Sequence, residues 1–392
     1  MHELVERRSS ANDLFFAAEA DRIAELCSCM ADRFASGGRL IALGATPAAC
    51  SDVRHVSVEF VHPVIVGKRA LPAIGLTGRS CDLEAQIATL GAPDDMAIAF
   101  GARADESSEQ LSRAIAVARA RGCLTMAFDE LGAEVEFRPA CADAFVWQEL
   151  VETLYHVLWE LVHVFFEHGS DRSASRASDV GASAFLYPFL ATNAYDRAAV
   201  TRDVARSVRT KADEVRALRE RTLLTDSGIA LVAAANALRE RLDTGGTVLA
   251  FGNGGSATDA MDLVADLRTP PHATQLTPRR ALDLTEDSAI LTALANDVGP
   301  DVQFARQIIA YGTDCDVAVG FSTSGSSRNI CTAFAEARRR GIATIAFTGY
   351  DGGRIAAEGL ADHVIIVPSQ YVPRIQEAHA TAYHIALTLT SR

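Results

Sequence analysis

The 392-residue sequence has eight cysteines but no CxxC pair. They stand at 27, 29, 50, 81, 123, 141, 315 and 331, mostly inside apolar runs. That scatter excludes a disulfide framework and a thiolate zinc site, and it reads as buried thiols in a reducing compartment. There is no run of about twenty uninterrupted apolar residues, and the opening MHELVERRSS lacks the apolar core of a signal peptide. The expectation is a soluble, cytoplasmic chain. An excess of positive charge is also missing: 37 Lys and Arg against 50 Asp and Glu leave −13. This argues against nonspecific nucleic-acid binding and against anionic membranes as partners. Neither a Walker loop, a dinucleotide GxGxxG nor a helix-turn-helix pattern occurs.

What is present centres on Leu249 to Leu267, LAFGNGGSATDAMDLVADL, an apolar strand that breaks into glycines and continues as a helix. Gly252, Gly254 and Gly255 can take backbone angles closed to other residues and let a ligand approach the main chain. Asn253 and Ser256 add side-chain hydrogen bonds, and the free N–H groups of the helix start suit a phosphate dianion. A second stretch, VAVGFSTSGSSRN from Val317 to Asn329, runs from a buried-strand pattern into Ser322, Thr323, Ser324 and Ser327, with a helix from Ile330 to Arg340 behind it. Either loop alone is compatible with a plain strand-to-helix turn; two in one α/β unit point to phosphate binding.

GNGGSATDA, LTALANDVG, FSTSGSSRN, FTGYDGG and the terminal PRIQEAHATAYH together resemble the sugar isomerase (SIS) domain, specifically its phosphoheptose isomerase branch. The motifs run in family order from about Ala199 to the C-terminus. The resemblance implies an α/β fold, a sugar-phosphate substrate and substrate contacts from Asn253 to Ser256, from Asn296-Asp297, from Ser322 to Ser327 and from Gln376.

Taken from the start, a helical pattern covers about Ala11 to Ala35, and strands are expected at Arg39–Leu43, Leu71–Leu76, Ala97–Phe100, Leu124–Phe128 and Ala144–Val146. A helix from Glu109 to Arg121 lies between them. In the second half, helices are expected at about Val200–Leu224 and Gly228–Leu242. Set side by side, the halves match: GGRLIALGATPAACSDVRHVSVEF mirrors GGTVLAFGNGGSATDAMDLVADL, AVARARGCLTMAFDELG mirrors AEARRRGIATIAFTGYDG, and WQELVETLYHVLWEL mirrors IQEAHATAYHIALTL. The chain is an internal repeat. The expected architecture is two tandem, doubly wound, flavodoxin-like parallel-sheet SIS domains at 1–168 and 200–392, joined by a Ser-, Gly- and Arg-rich linker at 169–199.

The repeats differ where chemistry is expected. In the first, His55 and Glu59 share one helix face, and Gln148 and His156 lie eight apart on a later helix. The second repeat has Asp262, Asp266, Gln376 and His384 at the matching positions. The resemblance assigns a His, Glu, Gln, His quartet to zinc, and its Glu and last His to proton transfer. Position by position, the quartet is His55, Glu59, Gln148 and His156, with one extra residue in the loop before Asp52. The second repeat, with two aspartates, would be a poor zinc site, and Pro63 and Pro270 stand where the family has an arginine.

The phosphate side is reversed. The first repeat has GATPAA for GNGGSA and FGARADESSEQ for FSTSGSSRN, so its cradle is expected to be lost. Two layouts follow: a composite site with Glu59 and His156 facing the second repeat's cradle, or a site within repeat two using Asp266 as base and His384 as acid. Two functions also remain open, an aldose–ketose isomerase acting on a heptose phosphate or a close analogue, and a non-catalytic sugar-phosphate sensor or protein-binding adaptor. Since relatives of this type are tetramers of single domains, a tandem chain is expected to pair into a homodimer with pseudo-tetrameric symmetry.

Overall fold

Five apolar runs in each half of the chain form one sheet. In the first half these are β1 (Leu40–Gly44), β2 (Ala73–Thr77), β3 (Met96–Phe100), β4 (Leu124–Ala127) and the two-residue β5 (Val135–Glu136). The second half has β6 (Val248–Phe251), β7 (Ala281–Asp283), β8 (Val317–Ser322), β9 (Ala343–Gly349) and β10 (His363–Val367). The computed structural model describes residues 1–63, 68–78, 83–101, 106–169, 197–271 and 274–391. All strand pairs are parallel, in the orders β2-β1-β3-β4-β5 and β10-β9-β8-β6-β7. Read from β7, the second order repeats the first, so both sheets are doubly wound in the flavodoxin-like manner. Strands β1, β3, β4, β6 and β8 are buried along their whole length, which explains their unbroken apolar sequence: helices cover both faces of a parallel sheet. In this strand order ligands bind at the carboxyl ends of the first and third strands, where the winding reverses. In the second repeat those strands are β6 and β8.

The helices are α1 (His2–Ala35), α2 (Pro47–Val61), α3 (Leu83–Leu90), α4 (Glu106–Ala120) and α5 (Ala144–Gly169) in the first half. Then follow α6 (Arg197–Leu223), α7 (Asp226–Asp243), α8 (Gly255–Arg268), α9 (Ser288–Asp297), α10 (Gln303–Tyr311), α11 (Arg328–Arg339), α12 (Gly353–Ala357) and α13 (Val372–Thr390). The repeats meet through equivalent helices: α2 packs on α8, and α5 on α13. Long helices also reach across. Val200, Val204 and Val208 of α6 bury in the core of the first repeat, whereas Leu4 and Val5 of α1 and Phe145 of α5 bury in that of the second.

Two expectations change. Helix α1 starts at His2 rather than near Ala11, because Leu4 and Val5 find their apolar contacts only in the other repeat. The run Ala144–Val146 is the first turn of α5, not a strand. The Asp143 carboxylate accepts the Phe145 and Val146 backbone N–H groups at 3.1 and 3.3 Å, and a short apolar run has no periodicity to separate strand from helix. Of the expected linker, only the ends fall among the described residues, and they belong to α5 and α6. Cys27, Cys123 and Cys331 are buried thiols as expected, but Cys29 and Cys315 are exposed. Among the described residues no helix is long and apolar enough to cross a membrane.

Candidate active site between the two repeats

Helix α2 carries His55 and Glu59 one turn apart, and α5 brings His156 against them; all three are buried. His55 Nε2 lies 3.2 Å from His156 Nε2 and 3.9 Å from Glu59 Oε1. One ligand atom from each of the three lies within 4.8 Å of the others. The outer nitrogens are held from behind. The Tyr155 hydroxyl is 2.9 Å from His55 Nδ1, and Glu377 Oε1 of the second repeat is 3.1 Å from His156 Nδ1.

Gln148 is not the fourth member of this group. Its amide nitrogen donates to Asp262 Oδ2 at 2.6 Å, which removes it from the set expected from the first repeat alone. Gln376 of α13 stands there instead. A Cβ on Gly255 would lie 1.8 Å from Gln376 Nε2 and 3.0 Å from His55 Nε2. Gly255 therefore has no room for a side chain, and both groups crowd the first residue of α8. Because α2 packs on α8 and α5 on α13, Gln148 near the start of α5 reaches Asp262 of α8, and Gln376 near the start of α13 lies by His55 of α2. Glu59 Oε2 and Gln376 Oε1 are buried without a hydrogen-bond partner. Two imidazole nitrogens, a carboxylate and an amide oxygen, the last two unsatisfied, are a donor set that fits a zinc ion.

Gly255 also belongs to the loop that leaves β6. Gly254, at φ 57° and ψ −126°, caps α8, a backbone conformation in which a side chain is strained. The loop is tied to the one leaving β8 by two amide hydrogen bonds: Asn253 Nδ2 donates to Asn329 Oδ1 at 3.0 Å, and Asn329 Nδ2 to Asn253 Oδ1 at 2.8 Å. Ser256 and Ser322 are buried, Ser322 Oγ is 3.5 Å from Ser327 Oγ, and Ser324 Oγ accepts the Ser326 N–H at 3.3 Å. Thr323 is half-buried between them. Asn296 and Asp297 end α9 on the surface, bonded to each other at 2.8 Å. The first repeat's equivalent loop is closed. Pro47 occupies the first turn of α2 and brings no N–H, and the Thr46 hydroxyl accepts the Ala49 N–H at 3.1 Å. In FGARADESSEQ, residues 102–105 lie outside the described residues.

The counterpart cluster in the second repeat is internally paired. Asp262 accepts from Gln148, from Ser51 Oγ at 2.6 Å and from Tyr383 OH at 2.9 Å. His384 Nε2 is 3.3 Å from Asp266 Oδ2, and its Nδ1 is 3.1 Å from Glu149 Oε1. Glu149 in turn takes Arg8 Nε at 2.9 Å and Thr381 Oγ1 at 2.7 Å, and Arg219 Nη2 stands 3.5 Å away.

These surroundings set opposite electrostatics. Burial pushes the Glu59 carboxyl up to about 6, against the pull of His156. Burial and the neighbouring His156 hold His55 well below the usual imidazole range. Burial alone would also lower His384, but Asp266 and Glu149 carry it up to about 9, so it is a buried cation at neutral pH. Asp262 is pushed up to about 7 by burial and by Asp266. Glu149, despite burial, is held well below the carboxylate range by Arg8, His384 and Arg219.

Glu377, Glu149 and Tyr155 did not stand out in the sequence, yet a signal was there. Both repeats carry Gln-Glu followed seven residues later by Tyr-His (Gln148-Glu149 and Tyr155-His156; Gln376-Glu377 and Tyr383-His384).

Two flavodoxin-like sheets joined through equivalent helices, with a hydroxyl-rich loop at one switch point, define the tandem SIS class. The family model for the SIS domain matches residues 212–349. A phosphoheptose isomerase of Chlorobium phaeovibrioides is 41% identical over 177 residues, covering 45% of this chain and 82% of that protein. One from Paramagnetospirillum magneticum is 47% identical over 145 residues, 37% of this chain and 74% of that protein. Among solved structures, the C-terminal domain of glucosamine-fructose-6-phosphate aminotransferase from Francisella tularensis aligns over 100% of this chain and 93% of its own, with a TM-score of 0.58 at 10% identity; this likeness shows the two-sheet fold. The chain belongs to the phosphoheptose isomerase family of SIS-domain proteins.

Proposed function

We propose that the chain is a phosphosugar aldose–ketose isomerase, an intramolecular oxidoreductase, with one composite active site per chain. The substrate is sedoheptulose 7-phosphate, converted to D-glycero-D-manno-heptose 7-phosphate, or a close analogue. The observation that supports this reading is the closeness of Gly255, in the loop leaving β6, to His55 of the first repeat, 3.0 Å from a Cβ at that glycine to His55 Nε2.

In this reading Asn253 to Ser256 and Ser322 to Ser327 hold the phosphate with hydroxyls and helix-start N–H groups. Anchoring the remote end fixes the reacting carbons against Glu59 and His156. Glu59, with its proton affinity near neutrality, takes the proton from the carbon beside the carbonyl and returns it to the neighbouring carbon, through an enediol(ate). His156 Nε2 moves the proton on the oxygens. A zinc ion held by His55, Glu59, His156 and Gln376 would supply polarisation of the carbonyl.

The alternative within repeat two, Asp266 as base and His384 as acid, has its His384 nitrogens already committed to two carboxylates. Asp266 also lies eleven residues beyond Gly255 along α8, about 16 Å at the helical rise. The non-catalytic sensor or adaptor reading draws its support from Pro63 and Pro270, which stand in place of the family's arginine. A panel of five- to seven-carbon ketose phosphates, with aldose formation monitored, decides: turnover of any member supports the isomerase, and binding without turnover across the panel supports the sensor. Pairing of two chains into a cytoplasmic pseudo-tetramer is part of the proposal, and a stable monomer by light scattering at micromolar concentration would count against it.

A further inference from the structure

His55 and His156 present their Nε2 atoms to the same small volume, but they are oriented by different halves of the molecule. Tyr155, which holds His55 Nδ1, belongs to the first repeat. Glu377, which holds His156 Nδ1, belongs to the second. Glu377 is wholly buried, and its Oε1 is also engaged by Arg374, itself buried. A carboxylate paired with a guanidinium is an acceptor, so the contact to His156 requires the imidazole to donate Nδ1–H. The proton is then fixed on Nδ1, and Nε2 keeps its lone pair in the volume it shares with His55 Nε2 and Glu59. The mirrored pair, Glu149 and His384, has the same cross-repeat contact at 3.1 Å, but there Nε2 meets Asp266 and the imidazole is a cation.

We propose that Glu377 is a positioning residue: through its contact with Nδ1 it sets the tautomer and ring orientation of His156, so that docking of the second repeat makes the first repeat's site competent to bind a divalent metal. This rests on the zinc-site reading above. In metal sites, removing the group that orients a ligating imidazole lowers metal affinity by about 10- to 100-fold.

The test compares Glu377→Ala, Glu377→Gln and Glu149→Gln with the unaltered full chain, reading zinc affinity by chelator competition and histidine protonation by ¹⁵N spectra of the chelator-treated protein. The expected result is a His156 that carries its proton on Nδ1, a zinc affinity about 10- to 100-fold weaker in Glu377→Ala, and partial rescue in Glu377→Gln, whose amide oxygen accepts the same N–H. Glu149→Gln, which removes the charge from an equally buried contact away from the site, keeps the unaltered affinity. Unchanged affinity in Glu377→Ala, equal loss in Glu149→Gln, or a wild-type His156 protonated on Nε2 overturns the proposal. A wild-type chain that takes up no zinc removes the metal reading, and the proton's position on His156 then decides the orienting role by itself.

Discussion

The two clusters flanking the repeat interface occupy matching positions in the two repeats and differ in how their polar groups are paired. Around His55, Glu59 and His156, two oxygen atoms, on Glu59 and Gln376, remain buried without partners, and the phosphate loops abut the cluster. Around Asp262, Asp266 and His384, Gln148, Ser51 and Tyr383 donate to Asp262 and Glu149 meets His384 Nδ1, while Asp266 Oδ2 and His384 Nε2, which make no hydrogen bond, face each other 3.3 Å apart as an ion pair. Unsatisfied polar atoms are costly to bury; the two of the second cluster offset each other as an ion pair, which is the arrangement the composite-site proposal expects of a tie between repeats rather than of a ligand site.

The sharpest way to break this comparison is to exchange the proton carriers. Glu59→Gln is expected to cut turnover by about 10²- to 10⁴-fold with sugar-phosphate affinity nearly unchanged, while Asp266→Asn stays close to wild type; the reverse pattern would eliminate the composite site. Next in size is the structural cost of opening the paired cluster. His384→Ala leaves Asp266 buried without its cation, while Glu149 keeps Arg8 and Arg219, and is expected to destabilise the fold by about 3–5 kcal/mol, read by urea denaturation. A variant as stable as wild type would show that the cluster ties nothing together.

A smaller effect separates the glutamines. Gln376→Ala should weaken zinc binding by about tenfold or more, and Gln148→Ala should leave it unchanged, since Gln148 bonds only to Asp262 among the cluster's groups. Equal losses would restore the quartet within one repeat. The smallest is a pH effect. His384 is raised from 6.5 to about 9 in the folded chain; its contribution to stability is therefore complete below about pH 6.5 and is lost as pH rises through about 9. Between these values stability should fall by up to about 1.4 kcal/mol per pH unit from this group, a slope that His384→Gln should remove. A stability flat from pH 7 to 9 in the wild type would contradict the ion pairing.

Much of this was open to reading in one dimension. Buried parallel strands are near-continuous apolar runs, so β1, β2, β3, β4, β6 and β8 and the repeat itself could be placed from composition and spacing, whereas the short or half-buried β5, β7 and β10 were not. Glycines and hydroxyls at two strand ends marked the candidate phosphate loops, and His55 with Glu59 lay on one face because helical periodicity puts residues four apart together. Partnership across the repeats was not legible. Gln148 and Gln376 occupy the same register in matching helices, and nothing local tells which one points toward His55. That choice depends on how α2 crosses α8 and how α5 crosses α13, and side-chain packing at those crossings settles it. For the same reason Glu377, unremarkable beside Gln376 in sequence, became the partner of a histidine 221 positions away. Local sequence determines which groups can donate, accept or ligate; only the packed interface decides which of them meet, because the distances that govern hydrogen bonding and coordination are set by helix crossings rather than by separation along the chain.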